Sequence, residues 1–492
     1  MFPTLEECKK YQGEYAYVPV ACEMLSDVST PVEVLKSVME QAHHSFLLES
    51  AEHGKWGRYS FIGYDPVLEL TCKDGHLLLK EVNGGRILKD MQVSHPETEI
   101  RALQQKYKSP VIQGMPSFTG GLMGYFAYDY FKYSEPRLDA PAKVDEGFSD
   151  VDLMLFDKII AFDHFTQKIV LVVNIPTDGM EAAYEAAETV MKEMKRCILT
   201  RSAKAHGGRR IGELKPQFDK AQFCDMVESA KKYIYEGDIF QVVLSNGMAA
   251  DYEGSLLDVY RQLRILNPSP YMFYLTSETL EVAGASPETL VKLQNGVLHT
   301  FPLAGTRPRG ADEAEDARLE AELLADEKER AEHNMLVDLG RNDLGKVSRF
   351  GSVAVEKYMT VEKYSHVMHI ASTVRGEIRA DKDGLDAIAA VLPAGTLSGA
   401  PKIRACEIIR ELEQDKRGIY GGAVGYLDFS GNMDMCIAIR LAYKKDGKVH
   451  VRSGAGIVAD SVPENEFAEC INKAKAVVRA MDAAAGEGGE LL

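Results

Sequence analysis

Two spacings of apolar residues divide this 492-residue chain into strand-like and helix-like segments. The run MLFDKIIAFDHFTQKIVLVVNI, at residues 154–175, holds two β-rich stretches on either side of a polar turn at 163–167. This arrangement predicts a hairpin. The chain also shows helical patterns over residues 220–236, about 316–339 and 401–414, and after Ser461.

Three strand-like runs with tight polar turns lie near the C-terminus. They are IYGGAVGYLDF, DMCIAIRLAYK and KVHVRSGAGIVA, within residues 419–459. Consecutive strands joined by short turns predict an antiparallel meander. We therefore expect an α+β fold rather than a doubly wound parallel sheet.

The length of the chain exceeds what one simple hydrophobic core usually supports, so we expect two domains or one large composite fold. Residues 200–217 are basic, contain glycine and lack apolar periodicity, which predicts a linker. The predicted organisation is an N-terminal region at 1–199, the linker at 200–217, and a C-terminal region at 218–492.

The formal net charge of −17 argues against nucleic acid or an anionic membrane surface as the main partner. No apolar run reaches the length of a membrane span, and the start of the chain, MFPTLEECKKYQGEY, does not resemble a signal peptide. The eight cysteines are scattered without a CxxC motif, which is typical of a reduced protein. We therefore expect a cytoplasmic protein that binds neither nucleic acid nor membranes.

Two pairs of glutamates have helical spacing and lie far apart in the sequence. Glu329 and Glu332 form one pair, and Glu466 and Glu469 form the other. Residues three apart share one face of a helix, so each segment projects two carboxylates in one direction. If the two faces meet, the four carboxylates suit Mg²⁺, which prefers oxygen ligands. On spacing alone, two solvated acidic faces are the plainer interpretation.

Other segments offer sites for an anion or need a partner. Small residues in GTLSGAPKIR, at 395–404, precede a helix start whose free N–H groups attract anions. Arg440 lies among apolar neighbours and needs a partner, either an internal carboxylate or a substrate. Lys473 follows Glu469 by four residues, so it either pairs with that glutamate or faces the same site. Residues 454–459 match a loose dinucleotide pattern, but no βαβ unit surrounds them.

Ten ordered motifs lie between about 237 and 476. They are GDIFQVVLS, GASPET, PLAGTRPRG, AEHNMLVDLGRND, VMHIASTVRG, PAGTLSGAPKIRA, YGGAVGY, CIAIR, SGAGIV and EFAECINKA. Together they resemble the chorismate-binding enzyme family, and within it the component I branch of anthranilate synthases. The segments FLLESAE and NPSPYMFY, at 46–52 and 267–274, resemble the two halves of that branch's regulatory pocket. The resemblance implies a large composite α+β fold, with layered, mainly antiparallel sheets flanked by helices.

The resemblance implies roles for individual residues. Glu332 and Glu469 match direct Mg²⁺ ligands, and Glu329 and Glu466 match a pair that acts through water. Glu288 matches the general acid that protonates the departing C4 hydroxyl of chorismate. The positions matching those that bind the substrate's carboxylates and ring are Gly305, Thr306, Thr396, Tyr420, Arg440, Gly454, Ala455, Gly456 and Lys473.

His369 matches a residue linked to the later loss of pyruvate, although a purely structural role or one in orienting the substrate stays open.

Two positions separate this chain from relatives with other nucleophiles. Where isochorismate-type relatives carry a lysine that activates water, this chain has Gln241. Where aminodeoxychorismate-type relatives carry a nucleophilic lysine, it has Ala304. The implied reaction is therefore amination of chorismate at C2 by ammonia, loss of the C4 hydroxyl, and elimination of pyruvate to give anthranilate. Asn246, where many relatives have arginine, is a small departure.

Two alternatives stay open at this point: a 2-amino-2-deoxyisochorismate synthase that stops before pyruvate loss, and a non-catalytic sensor of chorismate or tryptophan.

The sequence has no GxCxG glutaminase motif around any cysteine. The resemblance therefore implies a separate glutamine amidotransferase subunit that supplies ammonia, in a heterotetramer of two plus two. It also implies feedback inhibition by tryptophan, although the matching residues also suit a loop packed on a sheet. These residues are Leu48, Glu49, Ser50, Asn267, Pro268, Ser269, Pro270, Tyr271 and Met272.

Overall fold

The computed structural model describes residues 1–51, 57–139, 142–202, 207–363 and 367–487. Within them, α-helices are α1 (Leu5–Cys8), α2 (Pro31–Met39), α3 (Pro96–Lys106), α4 (Met180–Leu199), α5 (Lys220–Tyr235), α6 (Leu257–Leu266), α7 (Glu313–Ala325), α8 (Glu327–Gly345), α9 (Gly384–Val391), α10 (Lys402–Glu413) and α11 (Pro463–Glu487).

The strands of the first half are β1 (Tyr17–Leu25), β2 (Ser45–Glu49), β3 (Tyr59–Tyr64), β4 (Leu68–Lys73), β5 (His76–Glu81), β6 (Ile87–Gln92), β7 (Gly121–Phe126), β8 (Val151–Phe156), β9 (Lys158–Asp163), β10 (Lys168–Pro176), β11 (Gly208–Pro216) and β12 (Gln241–Gly254).

The strands of the second half are β13 (Tyr271–Thr276), β14 (Leu280–Ser286), β15 (Thr289–Gln294), β16 (Val297–Thr300), β17 (Leu303–Pro308), β18 (Ala354–Lys363), β19 (Val367–Glu377), β20 (Gly399–Ala400), β21 (Ala423–Asp428), β22 (Met433–Ile437), β23 (Leu441–Lys445) and β24 (Lys448–Ile457).

These strands form two large antiparallel sheets in the described residues. Sheet one has the order β1-β10-β9-β3-β2-β13-β14-β23-β24-β12-β11, and β20 also pairs with β12. Sheet two has the order β17-β19-β16-β15-β22-β21-β7-β8-β4-β5-β6, and β18 also pairs with β19. Each sheet draws strands from both ends of the chain. The predicted α+β class with layered antiparallel sheets is confirmed.

The main core lies between the two sheets. Neighbouring residues of a strand point to opposite faces, so the strands of sheet one contribute side chains to two different clusters. In sheet one, Phe46 and Phe273 join a large buried cluster that also contains Tyr125 and Leu153 of sheet two. The next residues along these strands, including Leu47, join a second cluster under helices α2, α4, α6 and α11. Sheet one is therefore covered on both faces.

The predicted hairpin and three of the predicted helices are confirmed. Strands β9 and β10 pair in register, with Asp163 opposite Lys168 across the turn. Helices α5, α10 and α11 lie where the pattern predicts them. Asp219 caps α5 because its side chain accepts a hydrogen bond from the backbone N–H of Gln222.

The single helix predicted over residues 316–339 is wrong, because the chain forms α7 and α8 with a break at Asp326. The backbone of Asp326 is extended, with φ −69° and ψ 109°. Its carboxylate accepts hydrogen bonds from the N–H groups of Lys328 and Glu329, at 3.1 and 3.2 Å. Asp326 therefore starts a new helix as an N-cap.

The predicted C-terminal meander is also wrong in part. The run DMCIAIRLAYK is divided between β22 in sheet two and β23 in sheet one. The chain crosses between the sheets at residues 438–440, where Arg440 has a positive φ of +51°. A residue with left-handed backbone conformation interrupts a strand. The apolar run in the sequence continues across this position, so the pattern does not reveal the interruption.

The segment predicted as a linker, 200–217, contains the edge strand β11, which pairs with β12, while its residues 203–206 lie outside the described part of the chain. The residues of β11 are mostly exposed, so the strand lacks the buried alternation by which a pattern reveals strands. The division into 1–199 and 218–492 stays a prediction, since strands from both parts build both sheets. In the described part of the chain, none of the helices combines the length and apolar character that a membrane crossing requires.

Candidate active site

The candidate site lies where the chain crosses twice between the sheets. Glu288 lies between β14 of sheet one and β15 of sheet two, and Arg440 lies between β22 and β23 on the return crossing. Backbone hydrogen bonds join the crossings, from Ala285 N to Arg440 O at 3.1 Å and from Ile437 N to Glu288 O at 2.9 Å. The two crossings therefore place Glu288 and Arg440 side by side.

Glu288 has the properties of a carboxylic acid that holds its proton near neutral pH. Burial raises its pKa to about 7, against the opposing effects of a hydrogen bond from Thr396 and the charges of Arg440 and Lys473. Thr396 Oγ1 donates to Glu288 Oε1 at 3.0 Å. Thr396 was predicted to bind the substrate, and the structure adds this contact with the acid.

Arg440 is half-buried beside Glu288. Burial lowers the pKa of its guanidinium, and the charge of Glu288 opposes that effect. Its Nη1 donates to Oδ1 of Asn267 at 3.3 Å. Asn267 was predicted in the regulatory pocket, and nothing in the sequence linked these two residues, which lie 173 positions apart.

His369 in β19 lies next to two residues of the PLAGT motif. Its Nδ1 is 2.8 Å from the backbone oxygen of Gly305 and 3.1 Å from Oγ1 of Thr306. A carbonyl oxygen only accepts, so Nδ1 carries the proton and the lone pair of the neutral ring lies on Nε2. Burial lowers the pKa of His369, which favours this neutral form.

The backbone at Gly305 requires glycine. Its φ is +62°, and a Cβ there would lie 2.9 Å from Leu323 Cδ1 and 3.1 Å from Glu329 Oε2. A side chain would therefore be strained and would displace a predicted metal-site carboxylate. The same carboxylate lies 3.5 Å from Nη1 of Arg307.

The SGAG segment in β24 lies directly against β12. Gly454 pairs with Ser245, and Gly456 pairs with Val243. A Cβ on Gly454 would lie 3.1 Å from the hydroxyl of Tyr420, and one on Gly456 would lie 2.8 Å from Nε2 of Gln241. Ala455 between them is fully buried. The predicted positions Tyr420, Gly454, Ala455 and Gly456 are thus brought together.

Tyr420 is itself buried, and burial raises the pKa of its phenol, so it stays a hydrogen-bond donor across the neutral range.

The two acidic pairs lie on α8 and α11, and their charges affect one another. Burial raises the pKa of Glu332, and the charges of Glu329 and of Glu469 on the other helix raise it further. Burial and the charge of Glu469 also raise the pKa of Glu466. The acidic faces of the two helices therefore converge.

The convergence does not form a preassembled cage. Among the residues that the structure describes, no group of three or more His, Cys, Asp or Glu side chains is arranged to hold a metal ion. Lys473 Nζ lies 2.8 Å from Glu469 Oε1 and donates to the backbone oxygen of Gly454 at 3.1 Å. Oxygen donors whose mutual repulsion raises their pKa values nevertheless fit a hard divalent cation, which relieves that repulsion.

The residues predicted in the regulatory pocket also come together in space. Glu49 pairs with Met272 and Leu48 with Phe273, where β2 joins β13. The N–H of Ala51 donates to the backbone oxygen of Ser269 at 3.0 Å.

A cavity of about 420 Å³ is lined by Ser50, Pro270 and Tyr271 of this set. The sequence did not identify two charged residues that also line it, Lys292 and Asp434, whose Nζ and Oδ2 lie 2.6 Å apart. Asp434 Oδ1 accepts a hydrogen bond from the Tyr271 hydroxyl at 2.9 Å.

Comparison with known proteins shows the family to which this chain belongs. Residues 43–479 match the family model described as chorismate binding enzyme, and this chain belongs to that family. It is 46% identical over 500 residues to anthranilate synthase component 1 of Acetivibrio thermocellus, covering 100% of this chain and 99% of that protein. It is 45% identical over 491 residues to the protein of the same name from Aquifex aeolicus, covering 98% of each.

Solved structures give the same result. Anthranilate synthase component I from Streptococcus pneumoniae superposes with a TM-score of 0.74 at 36% identity, covering 87% of this chain and 94% of that one. The menaquinone-specific isochorismate synthase MenF from Escherichia coli superposes with a TM-score of 0.69 at 19% identity, covering 97% and 98%. The latter likeness establishes a shared fold alone.

Proposed function

We propose that this chain is the aminating component of an anthranilate synthase, which converts chorismate and ammonia to anthranilate, pyruvate and water in tryptophan biosynthesis. Full-length similarity to proteins named anthranilate synthase component 1 supports the assignment. Gln241 and Ala304 support ammonia as the nucleophile, because neither side chain offers the amine that other family members use at these positions.

The observation that carries the proposal is the buried carboxyl of Glu288 between the two crossings, whose pKa is raised to about 7. Hydroxide is a poor leaving group unless an acid delivers a proton to it. As the lone pair of ammonia forms a bond to C2, the ring electrons shift and the C4–O bond breaks. Glu288 gives its proton to the departing oxygen, which leaves as water. A pKa of about 7 keeps a large share of Glu288 protonated near neutral pH.

His369 fits the second half of the reaction. Removal of the C2 proton sends an electron pair into the ring, breaks the C3–O bond and releases enolpyruvate, which becomes pyruvate on protonation. The neutral imidazole, with its lone pair on Nε2, can accept that proton. The hydrogen bond to Gly305 O fixes the tautomer that this role requires.

Charged groups suit the two carboxylates of chorismate. Arg440 and Lys473 are cations whose charges reach Glu288, so a bound carboxylate near them also lies near the acid. The carboxylates of Glu332 and Glu469, with Glu329 and Glu466 behind them, would hold Mg²⁺. When bound, the ion would withdraw electron density from the ring through its carboxylate and favour addition at C2.

The cavity with Ser50, Pro270 and Tyr271 is the proposed site of feedback inhibition by tryptophan. It combines a volume of about 420 Å³ with a lysine and an aspartate, which suits an amino acid with a large side chain. Two further expectations belong to the proposal: a glutamine amidotransferase supplies the ammonia, and the two components form a two-plus-two tetramer. The numbered names of the relatives support a second component.

The test uses the purified chain with chorismate, Mg²⁺ and excess ammonium near neutral pH, where a large share of Glu288 keeps its proton. Fluorescent anthranilate and an equal amount of pyruvate are the expected products, and glutamine should not replace ammonium. An aminated product that keeps its enolpyruvyl group would instead identify a 2-amino-2-deoxyisochorismate synthase. No turnover at all, with chorismate bound, would identify a sensor.

A further inference from the structure

A buried ion pair lies behind the candidate site. Arg417 and Glu413 are each only 1% exposed at the side chain. Arg417 Nε donates to Glu413 Oε2 at 2.9 Å, and Nη2 donates to Oε1 at 2.5 Å. Burying two charges costs desolvation energy that their attraction only partly offsets. Such a pair is therefore a poor device for stability alone, and its other contacts indicate its role.

The remaining hydrogen bonds of Arg417 join two segments of the site. Nη1 donates to the backbone oxygen of Leu397 at 2.7 Å, and Nη2 donates to that of Val243 at 2.7 Å. Leu397 ends the short 3₁₀ turn Gly395–Leu397, which carries Thr396. Val243 pairs with Gly456 in the strand that holds the SGAG segment. One guanidinium therefore fixes the turn that carries Thr396 against strand β12.

Glu413 extends the same attachment. The backbone N–H of Ser245 donates to Glu413 Oε1 at 2.7 Å, and its hydroxyl donates to both carboxylate oxygens at 3.1 Å. Ser245 is the pairing partner of Gly454, whose carbonyl accepts the hydrogen bond of Lys473. The pair thus binds two segments directly, the Thr396 turn and β12, and β12 in turn pairs with the segment of β24 that carries Gly454 and Gly456.

We propose that Arg417, oriented by Glu413, is a positioning residue that sets the Thr396 hydroxyl against the carboxyl of Glu288. The inference rests on the proposed function, because it gives Glu288 the role of general acid. The guanidinium binds the carbonyl of Leu397. Because Thr396 is the adjacent residue, its position depends on that of Leu397. No lysine at 417 can reproduce the planar fork that binds Glu413 and both carbonyls together.

The test compares Arg417→Lys, Thr396→Val and the double variant in ammonia-dependent turnover, at constant free ammonia from about pH 6 to about pH 9. The hydrogen bond from Thr396 lowers the pKa of Glu288, so its loss should raise that pKa. The fall of kcat on the alkaline side should therefore move to higher pH. We expect kcat to drop about tenfold in each single variant, because the Thr396 hydroxyl no longer acts on the acid. A rise in the KM for chorismate would report the separate substrate contact predicted for Thr396. The double variant should match the single variants, since both changes break one unit.

Lys132→Gln is the matched control, because it removes a buried cation, 6% exposed, that pairs with Asp150 just before β8. It should lower the melting temperature and leave the pH profile unchanged. If Arg417→Lys lowers only the melting temperature, or if the double variant adds the two losses, the positioning role is wrong.

Glu413→Gln is isosteric and keeps an oxygen acceptor. If Arg417→Lys does not fold, the same pH profile, melting temperature and double-variant comparison are measured with Glu413→Gln instead.

Glu288→Gln separates the two proposals. Normal turnover by that variant contradicts the proposed acid, whereas its inactivity beside an unchanged Arg417→Lys profile contradicts the positioning role alone.

Discussion

Arg440 and Asn267 are joined by a hydrogen bond of 3.3 Å between Nη1 and Oδ1. The first belongs to the predicted substrate site and the second to the predicted tryptophan pocket. Asn267 also donates from Nδ2 to Oγ of Ser269 at 3.2 Å, within that pocket. A ligand that turns the amide of Asn267 therefore acts directly on a side chain of the substrate site.

Asn267→Ala should raise the KM for chorismate about tenfold, because a hydrogen bond to a charged group contributes about 1.5 kcal/mol or more. The same change should weaken inhibition by tryptophan, measured as the concentration that halves the rate. Ser277→Ala, in the turn after β13, is the control and should change neither quantity. Wild-type values of both quantities in Asn267→Ala would show that the hydrogen bond links nothing.

Glu288→Gln should lower kcat by about 10² to 10⁴, because glutamine has no proton to deliver. In the wild-type protein, kcat should fall as the pH rises through about 7, where Glu288 loses its proton. Measurement at constant free ammonia isolates this effect from the titration of the nucleophile. A wild-type profile that stays level through this range would exclude Glu288 as the acid.

The raised pKa of Glu288 also predicts the pH dependence of stability. A carboxyl whose pKa rises from 4.5 in the unfolded chain to about 7 in the folded protein destabilises the fold as the pH rises through that window. Glu288→Gln removes this effect, so it should stabilise the protein by up to about 3 kcal/mol at pH 8 relative to its effect at pH 4. Urea unfolding of both proteins at the two pH values measures the difference, and equal values would contradict the buried acid.

Glu469→Gln should raise the Mg²⁺ concentration needed for half-maximal rate by about tenfold or more, since one of few carboxylate ligands is lost. The increase in melting temperature caused by Mg²⁺ should shrink in parallel, a readout that does not depend on turnover. Glu464→Gln, on the same helix but outside the predicted ligand set, is the control. An unchanged Mg²⁺ dependence would remove Glu469 from that set.

Gly305→Ala should destabilise the protein by about 1–3 kcal/mol, because it combines a positive φ with steric conflict. Gly296→Ala is the matched control: its φ is +79°, and a Cβ there meets nothing within 4 Å. The control should cost only the backbone strain and keep full activity. Equal losses of stability in urea, with activity retained in both variants, would contradict the prediction. They would mean that the side chains of Leu323 and Glu329 move away from the new methyl group without a cost in free energy.

Much of the fold's local structure could be predicted from the sequence, because strands and short helices follow from residue patterns within a few positions. The hairpin β9–β10 and the helices α5 and α10 are examples. The break at Asp326 escaped prediction, since an aspartate caps a helix only where its own backbone is extended, and the residue pattern does not show that conformation. The crossing at Arg440 escaped it as well, because the apolar run continues on both sides while the strands belong to different sheets.

For the candidate site, the sequence by itself determined which chemical groups are present and which share a helix face. Glu329 with Glu332, and Glu466 with Glu469, share faces because helical geometry fixes the spacing of residues three apart. The absence of lysine at Gln241 and Ala304 is likewise a property of the sequence alone.

Only the tertiary structure decided what surrounds each group. The raised pKa of Glu288, its contact with Thr396 108 positions away, and the link from Arg440 to Asn267 all depend on segments that folding brings together. Burial and electrostatic interaction are set by distance in space, which local residue spacing does not encode.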